Sequence, residues 1–304
     1  MVVVSIAEEQ SVVEHKPSAG RWGEREVFVL SDLHIGDGSA KDNLLKGHNQ
    51  TMLYNLLDKV ERADGKLVIL GDLFELWRYT PEAVFGRWEK LLDRLNRMDV
   101  VYVPGNHDLQ LWRERAYWKR QHPFFGSLRK PFVVSIGGKD FKFMHGHEID
   151  PMISEGMGKL RPILRMLAGS LEMRSGSCMV TSDILSDAYL EVGERILDVW
   201  HRLTRQWNRA VYEHLGFSEE GWRRLICPMR TRNMIARFFQ QQQGISDVTV
   251  TGHTHHSGRF GDWYFNCGSW TQSVVNYLRI RPDGNVEVMD YLMQGEWVNQ
   301  KAVL

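Results

Sequence analysis

Five short apolar runs in this sequence each end, within two residues, on a side chain that can bind a metal ion. Val27 to Leu30 leads into Ser31-Asp32-Leu33-His34, Leu67 to Leu70 into Gly71-Asp72, and Val101 to Pro104 into Gly105-Asn106-His107-Asp108. Further on, Phe141 to Met144 leads into His145-Gly146-His147, and Val248 to Thr251 into Gly252-His253-Thr254-His255. Short apolar runs bounded by turn residues read as buried strands. Where parallel strands share a sheet, the loops that follow them gather at one edge, the usual place for a site. The pattern therefore predicts a sheet edge where carboxylates, imidazoles and one amide meet. Taken singly, an Asp after an apolar run is more often a helix N-cap or a turn residue. Five strand ends in concert are not explained that way.

Between the first runs, Leu44, Leu53, Leu56, Leu57 and Val60 recur at helical spacing, as do Phe85, Trp88, Leu91, Leu92 and Leu95. Strands alternating with helices imply βαβ units. Phe132 to Ile136 and Phe141 to Met144, joined by Gly137-Gly138, predict a hairpin. From Pro151 to Gly244 no strand-like run occurs, and Tyr189, Val192, Ile196, Val199, Trp200, Leu203, Trp207 and Val211 trace one face of a long helix. Strand patterns resume at Val248 to Val250, Tyr264 to Phe265, Val274 to Arg279 and Val286 to Tyr291. The expected organisation is an N-terminal tail or edge segment over 1–24, an α/β domain over 25–150 and 245–304, and a helical insertion over 151–244.

Charge excludes little and favours little. Lys plus Arg balances Asp plus Glu at 38 each, so nothing in the average calls for nucleic acid or an anionic membrane. Cys178, Cys227 and Cys267 are odd in number and widely spaced, which fits neither a disulfide framework nor a CxxC site and points to a reducing cytoplasm. The opening MVVVSIAEEQ lacks a basic n-region, and no run approaches the ~18 apolar residues a spanning helix needs, so a soluble, at most membrane-peripheral, protein is expected.

A mixed Asp, His and Asn set without thiolates suits Mn, Fe, Zn or Co rather than a structural zinc finger. The ligand types are numerous enough for two divalent ions, manganese foremost. A pair ~3.5–4 Å apart can bind phosphate oxygens, lower the pKa of a bridging water and present hydroxide in line with a leaving group. That chemistry is phosphoester hydrolysis.

The series Asp32-Leu33-His34, Gly71-Asp72, Gly105-Asn106-His107-Asp108, His145 and Gly252-His253-Thr254-His255 resembles the full motif set of the calcineurin-like metallophosphoesterases. The resemblance implies an α/β fold, a four-layer αββα sandwich, here with an inserted helical cap. It implies that Asp32, His34, Asp72 and His255 hold one metal, that Asp72, Asn106, His145 and His253 hold the other, and that Asp72 bridges them. His107 would contact the phosphate and assist the leaving group, oriented by Asp108. Asn266-Cys267-Gly268-Ser269 resembles the family's Asn-Pro-Gly-Ser turn with Cys in place of Pro. Within the superfamily, Gly71-Asp72-Leu73-Phe74-Glu75-Leu76-Trp77 is similar to the UDP-2,3-diacylglucosamine pyrophosphohydrolases of the lipid A pathway, which also carry a helical insertion. Asn106-His107-Asp108 and His145-Gly146-His147 depart from their Asn-Arg-Asp and His-Gly-Asp, and the insertion looks longer and differently composed.

The insertion has 12 Arg and one Lys against ten acidic residues, a modest excess that a solvated cap would explain as well as a lid would. Read as a lid, it uses Arg to hold a second phosphate or an anionic headgroup, with Arg161, Arg165 and Arg174 nearest in sequence to the His145 loop. The expected partner is a small-molecule or lipid-linked phosphate, with any peripheral membrane contact made through the insertion. A nuclease is disfavoured by the neutral charge, and a non-catalytic scaffold by the competence of every ligand position.

Overall fold

The structure is a computed structural model that describes residues 22–149, 246–255, 257–271, 275–291 and 297–299. Along the chain run β1 (Val27–Leu30), α1 (Asn49–Arg62), β2 (Lys66–Leu70), α2 (Pro81–Arg87), α3 (Glu89–Arg97) and β3 (Val100–Val103). There follow α4 (Leu109–Arg113), α5 (Arg115–Gln121) and the hairpin β4 (Phe132–Ile136) and β5 (Lys139–Phe143). The later strands are β6 (Val248–Thr251), β7 (Gly258–Phe260), β8 (Tyr264–Asn266), β9 (Asn276–Ile280), β10 (Val286–Tyr291) and β11 (Trp297–Asn299). They form a six-stranded sheet, β11-β10-β9-β1-β2-β3, and a five-stranded sheet, β4-β5-β6-β8-β7.

Both sheets are mixed. β1, β2 and β3 pair in parallel, while β9 returns antiparallel beside β1, with Val27 opposite Ile280. In the second sheet β5, β6 and β8 are parallel and β4 and β7 close the edges antiparallel. Alternation along the strands then builds two cores, because successive side chains point to opposite faces. Val27, Val29, Val68, Leu70, Leu278 and Ile280 meet Phe141, Phe143, Val248, Val250 and Phe265 between the sheets. Phe28, Leu30, Leu67, Ile69 and Tyr277, on the opposite face, pack on the helices, to which α1 contributes Leu53, Leu56, Leu57 and Val60. Every described helix buries side chains in this second core. Among the described residues no helix covers the outer face of the five-stranded sheet, where the expected sandwich has its fourth layer; the expected cap over 151–244 lies outside the described residues.

The two hairpin turns meet. A Cβ on Gly137, whose φ is +58°, would run into the backbone of Asp283 and Gly284, so only glycine serves both the turn and the contact. At the N-terminal boundary, residues 22–24 form a turn, and buried Trp22 packs on Phe132 and Phe143. The rest of the 1–24 segment is outside the described residues.

Three expectations for the elements need correction. Leu44 belongs to a separate 3-10 turn, Asn43–Leu45, and not to α1. The helical stretch around Trp88 is two helices: Trp88 leaves helical geometry at φ −110° and ψ 23°, and its indole N–H reaches Gly36 O and Asp42 Oδ2. The strand expected from Val274 begins at Asn276. Among the described residues no helix is long and apolar enough to cross a membrane.

Candidate metal centre

The parallel register of β1, β2 and β3 delivers the loops with Asp32 and His34, with Asp72, and with Asn106 and His107 to one edge. The parallel pair β5 and β6 delivers His145 and then His253 and His255. Backbone bonds lock these loops together: Asp32 N–H donates to Gly71 O at 3.1 Å, His34 N–H to Asp72 O at 2.9 Å, and Gly252 N–H to His145 O at 2.9 Å. His253 N–H donates to Asp32 Oδ2 at 2.9 Å, which ties the second sheet to the first.

The close approach strains the chain. Six non-glycine residues among those described have positive φ, and five of them are Asp32, His34, Asp72, His253 and His255. Such conformations are costly for side chains with a Cβ and concentrate where function requires them. Asn266 supports the last loop, its amide donating to Gly252 O at 2.7 Å. Cys267 N–H donates to Thr251 O at 2.8 Å, a bond that proline at this position could not make.

The ligand atoms fall into overlapping groups. Asp32, His34 and His255 form one, and Asp72, His145 and His253 another. A third, His34, Asp72 and His107, shares members with both. Asn106 joins the second, with Oδ1 3.2 Å from His145 Nε2. Asp72 lies between: Oδ1 accepts from His107 N–H at 2.8 Å, while Oδ2 is 3.9 Å from His34 Nε2 and 3.2 Å from His145 Nε2. His147 borders the second group, its ring 5.4 Å from that of His145.

Electrostatics favour positive charge at this edge. Burial alone would raise the Asp32 carboxyl, but His145 and His255 outweigh it and hold it well below the ordinary range. Burial likewise opposes ionisation of Asp72 and Glu75, and the neighbouring imidazoles of His145 and His107 for one, and His107 and His34 for the other, keep both ionised. Three buried carboxylates thus demand positive charge. For His145, burial favours the neutral ring, but Asp72 and Asp32 raise it to about 10.

Divalent metal fits these residues. Asp32 Oδ1 and His34 Nε2 are buried without a hydrogen-bond partner, yet they face each other at 3.9 Å, with His255 Nε2 3.2 Å from the same oxygen. His145 Nδ1 bonds Leu70 O at 2.6 Å, which leaves Nε2 among the acceptors Asp72 Oδ2 and Asn106 Oδ1. There it carries a proton or gives its lone pair to a cation. A backbone or carboxylate partner on the far nitrogen is the usual way of orienting a metal-binding histidine.

His107 is not oriented by Asp108. Fully buried Asp108 accepts from Gly105 N–H at 2.7 Å, Phe74 N–H at 3.3 Å and the Tyr102 hydroxyl, and burial beside Asp72 raises its carboxyl to about 6. It shapes the loop. The carboxylate on His107 is Glu75, whose Oε1 is 2.9 Å from His107 Nδ1 and whose Oε2 is 2.9 Å from His34 Nδ1. Glu75 is the residue missed from the sequence. Its signal was present in the segment Gly71 to Trp77, where a carboxylate three residues beyond Asp72 stands at the same strand end. Arg161, Arg165 and Arg174 lie outside the described residues.

The profile described as calcineurin-like phosphoesterase matches residues 26–257. No curated protein matches the chain. Among solved structures, a conserved uncharacterized protein from Streptococcus pneumoniae TIGR4, described as a predicted phosphoesterase, is similar at 14% identity and a TM-score of 0.34, over 91% of this chain and 98% of that one. A score so low adds nothing to the assignment.

Proposed function

Because this chain belongs to the calcineurin-like phosphoesterase family, we propose that its polar sheet edge is a two-metal site for hydrolysing a phosphate ester or pyrophosphate. The observation that carries this reading is Asp72 Oδ2, one buried oxygen turned to both His34 and His145. Asp32, His34, Asp72 and His255 would hold one ion, and Asp72, Asn106, His145 and His253 the other. Bound there, divalent ions supply Lewis acidity toward the phosphoryl oxygens and make water a nucleophile near neutral pH. Oxygen and imidazole donors suit manganese, with zinc, iron and cobalt as alternatives.

The chain's own residues do the rest. Glu75 holds His107 by Nδ1, so Nε2 is the nitrogen left for substrate, and it makes no hydrogen bond among the described residues. There the ring would stabilise charge on the phosphoryl group or protonate the leaving oxygen. The neighbouring Trp77 and Glu75 belong to the segment that resembles the UDP-2,3-diacylglucosamine pyrophosphohydrolases, which favours a nucleotide-linked lipid as substrate. Arg161, Arg165 and Arg174 of the insertion would then hold its second phosphate, and the insertion would meet the membrane surface.

Turnover by the manganese-loaded protein of p-nitrophenyl phosphate, its bis ester and a UDP-linked lipid tests the reading. Metal-dependent hydrolysis is expected, fastest on the lipid. Hydrolysis of the simple esters alone would leave a general phosphoesterase, and no turnover with any metal would reject the enzyme.

A further inference from the structure

Trp77 sits at the rim of the centre and belongs to neither hydrophobic core. It is half-buried and touches the site through its ring, its indole N–H and its backbone N–H. The indole lies flat on the His107 ring, with centroids 3.8 Å apart and planes at 17°. Its Nε1–H donates to Asn106 O at 2.9 Å, and its backbone N–H to Glu75 Oε1 at 3.2 Å, the oxygen that holds His107 Nδ1. The His34 ring stands perpendicular to His107, 4.6 Å away. His107 is thus fixed at one nitrogen by a carboxylate and along one face by an indole that is itself anchored to the preceding residue.

A histidine side chain has two torsions, and a single hydrogen bond at Nδ1 leaves the ring free to swing about that contact. Aromatic faces in contact remove this freedom without consuming a ring nitrogen. We propose that Trp77 is a positioning residue: it clamps the Asn106–His107 pair so that His107 Nε2 stays aimed at the leaving oxygen. The proposal rests on the reading that His107 faces the phosphate. It assigns Trp77 to rate through His107, and not to metal binding: the indole's hydrogen bond to Asn106 is to the backbone oxygen, not to the side-chain Oδ1.

The test compares wild type, Trp77→Phe, Trp77→Leu, His107→Asn and the Trp77→Leu/His107→Asn pair, each zinc-loaded. Metal content should be unchanged throughout. Trp77→Leu should slow hydrolysis of an alkyl phosphate about ten- to hundred-fold, the scale of a displaced supporting or reacting group. The loss should be smaller on p-nitrophenyl phosphate, whose leaving group needs no proton, and Trp77→Phe, which keeps a stacked face, should retain most of the rate. In the His107→Asn background the Leu substitution should cost nothing more, the non-additivity expected of residues acting through one another. An equal loss in that background, or loss of metal from Trp77→Leu, would overturn the assignment. NMR of the His107 ring protons gives a readout independent of turnover. They should lie upfield under the indole, stay so in Trp77→Phe, and move to averaged positions in Trp77→Leu. A ring equally restrained in Trp77→Leu defeats the clamp even in an active enzyme, whereas a wild type with neither metal nor turnover defeats the site reading while leaving the clamp measurable.

Discussion

Asp72 is held by two different kinds of contact. One carboxylate oxygen accepts the His107 N–H, and the other faces His34 and His145 together. Removing it should therefore disturb both ions, while His255, whose side chain is 35% exposed, sits in one group only. Asp72→Ala is expected to lose both metals and His255→Ala one, by elemental analysis; near-normal metal in Asp72→Ala would contradict the bridge. His145 gives a pH prediction for the metal-free protein. Its folded pKa of about 10 lies above its ordinary 6.5, so between these values the folded state binds more protons than the unfolded one. The stabilisation is complete below about 6.5 and lost as pH rises through about 10. Relative to His145→Gln, the melting temperature of metal-free wild type should fall on that rise, and a flat difference would contradict the buried imidazolium. That these side chains would meet at one edge was legible in the sequence, because each of their loops follows an apolar run. The role of Glu75 was not, because it depends on a loop path that turns its two oxygens to two histidines. Nor was the turning of Asp108 toward Tyr102.

Strand ends are where the chain is under most constraint. Gly71 has φ +83°, and a Cβ there would meet the His145 ring and the Gly105 backbone. Gly71→Ala combines backbone strain, about 1–3 kcal/mol, with displacement of a candidate ligand. It should lower stability in urea denaturation and weaken metal binding together; a stable variant with full metal would show that the loop has room to yield. Strands were readable where apolar residues run into turn glycines, as at Lys66–Leu70, Val100–Val103 and Phe132–Ile136. The three-residue strands β7 and β11 and the short α4 and α5 are too brief for periodicity to register. The break at Trp88 was hidden for another reason. It follows from an indole bonded to Gly36 and Asp42, residues distant in sequence whose loop is itself gathered by Asp42, which accepts from Gly36 N–H at 2.9 Å and Gly38 N–H at 2.8 Å.

At the scale of the molecule, two sheets packed face to face bring sequence-distant loops to one edge. Asp32 and His253 touch across 221 positions, through an amide donated to a carboxylate. Apolar patterning predicted strands and helices but not which sheet each strand would join, since register and sheet order are tertiary outcomes. The family assignment makes phosphoester chemistry the expected use of that edge, and two ions astride Asp72 are what the geometry favours. Anomalous diffraction from manganese-loaded crystals tests this most directly. Two peaks ~3.5–4 Å apart, with the Asp72 carboxylate between them, are the predicted result; no peak, or a single peak away from Asp72, would contradict it.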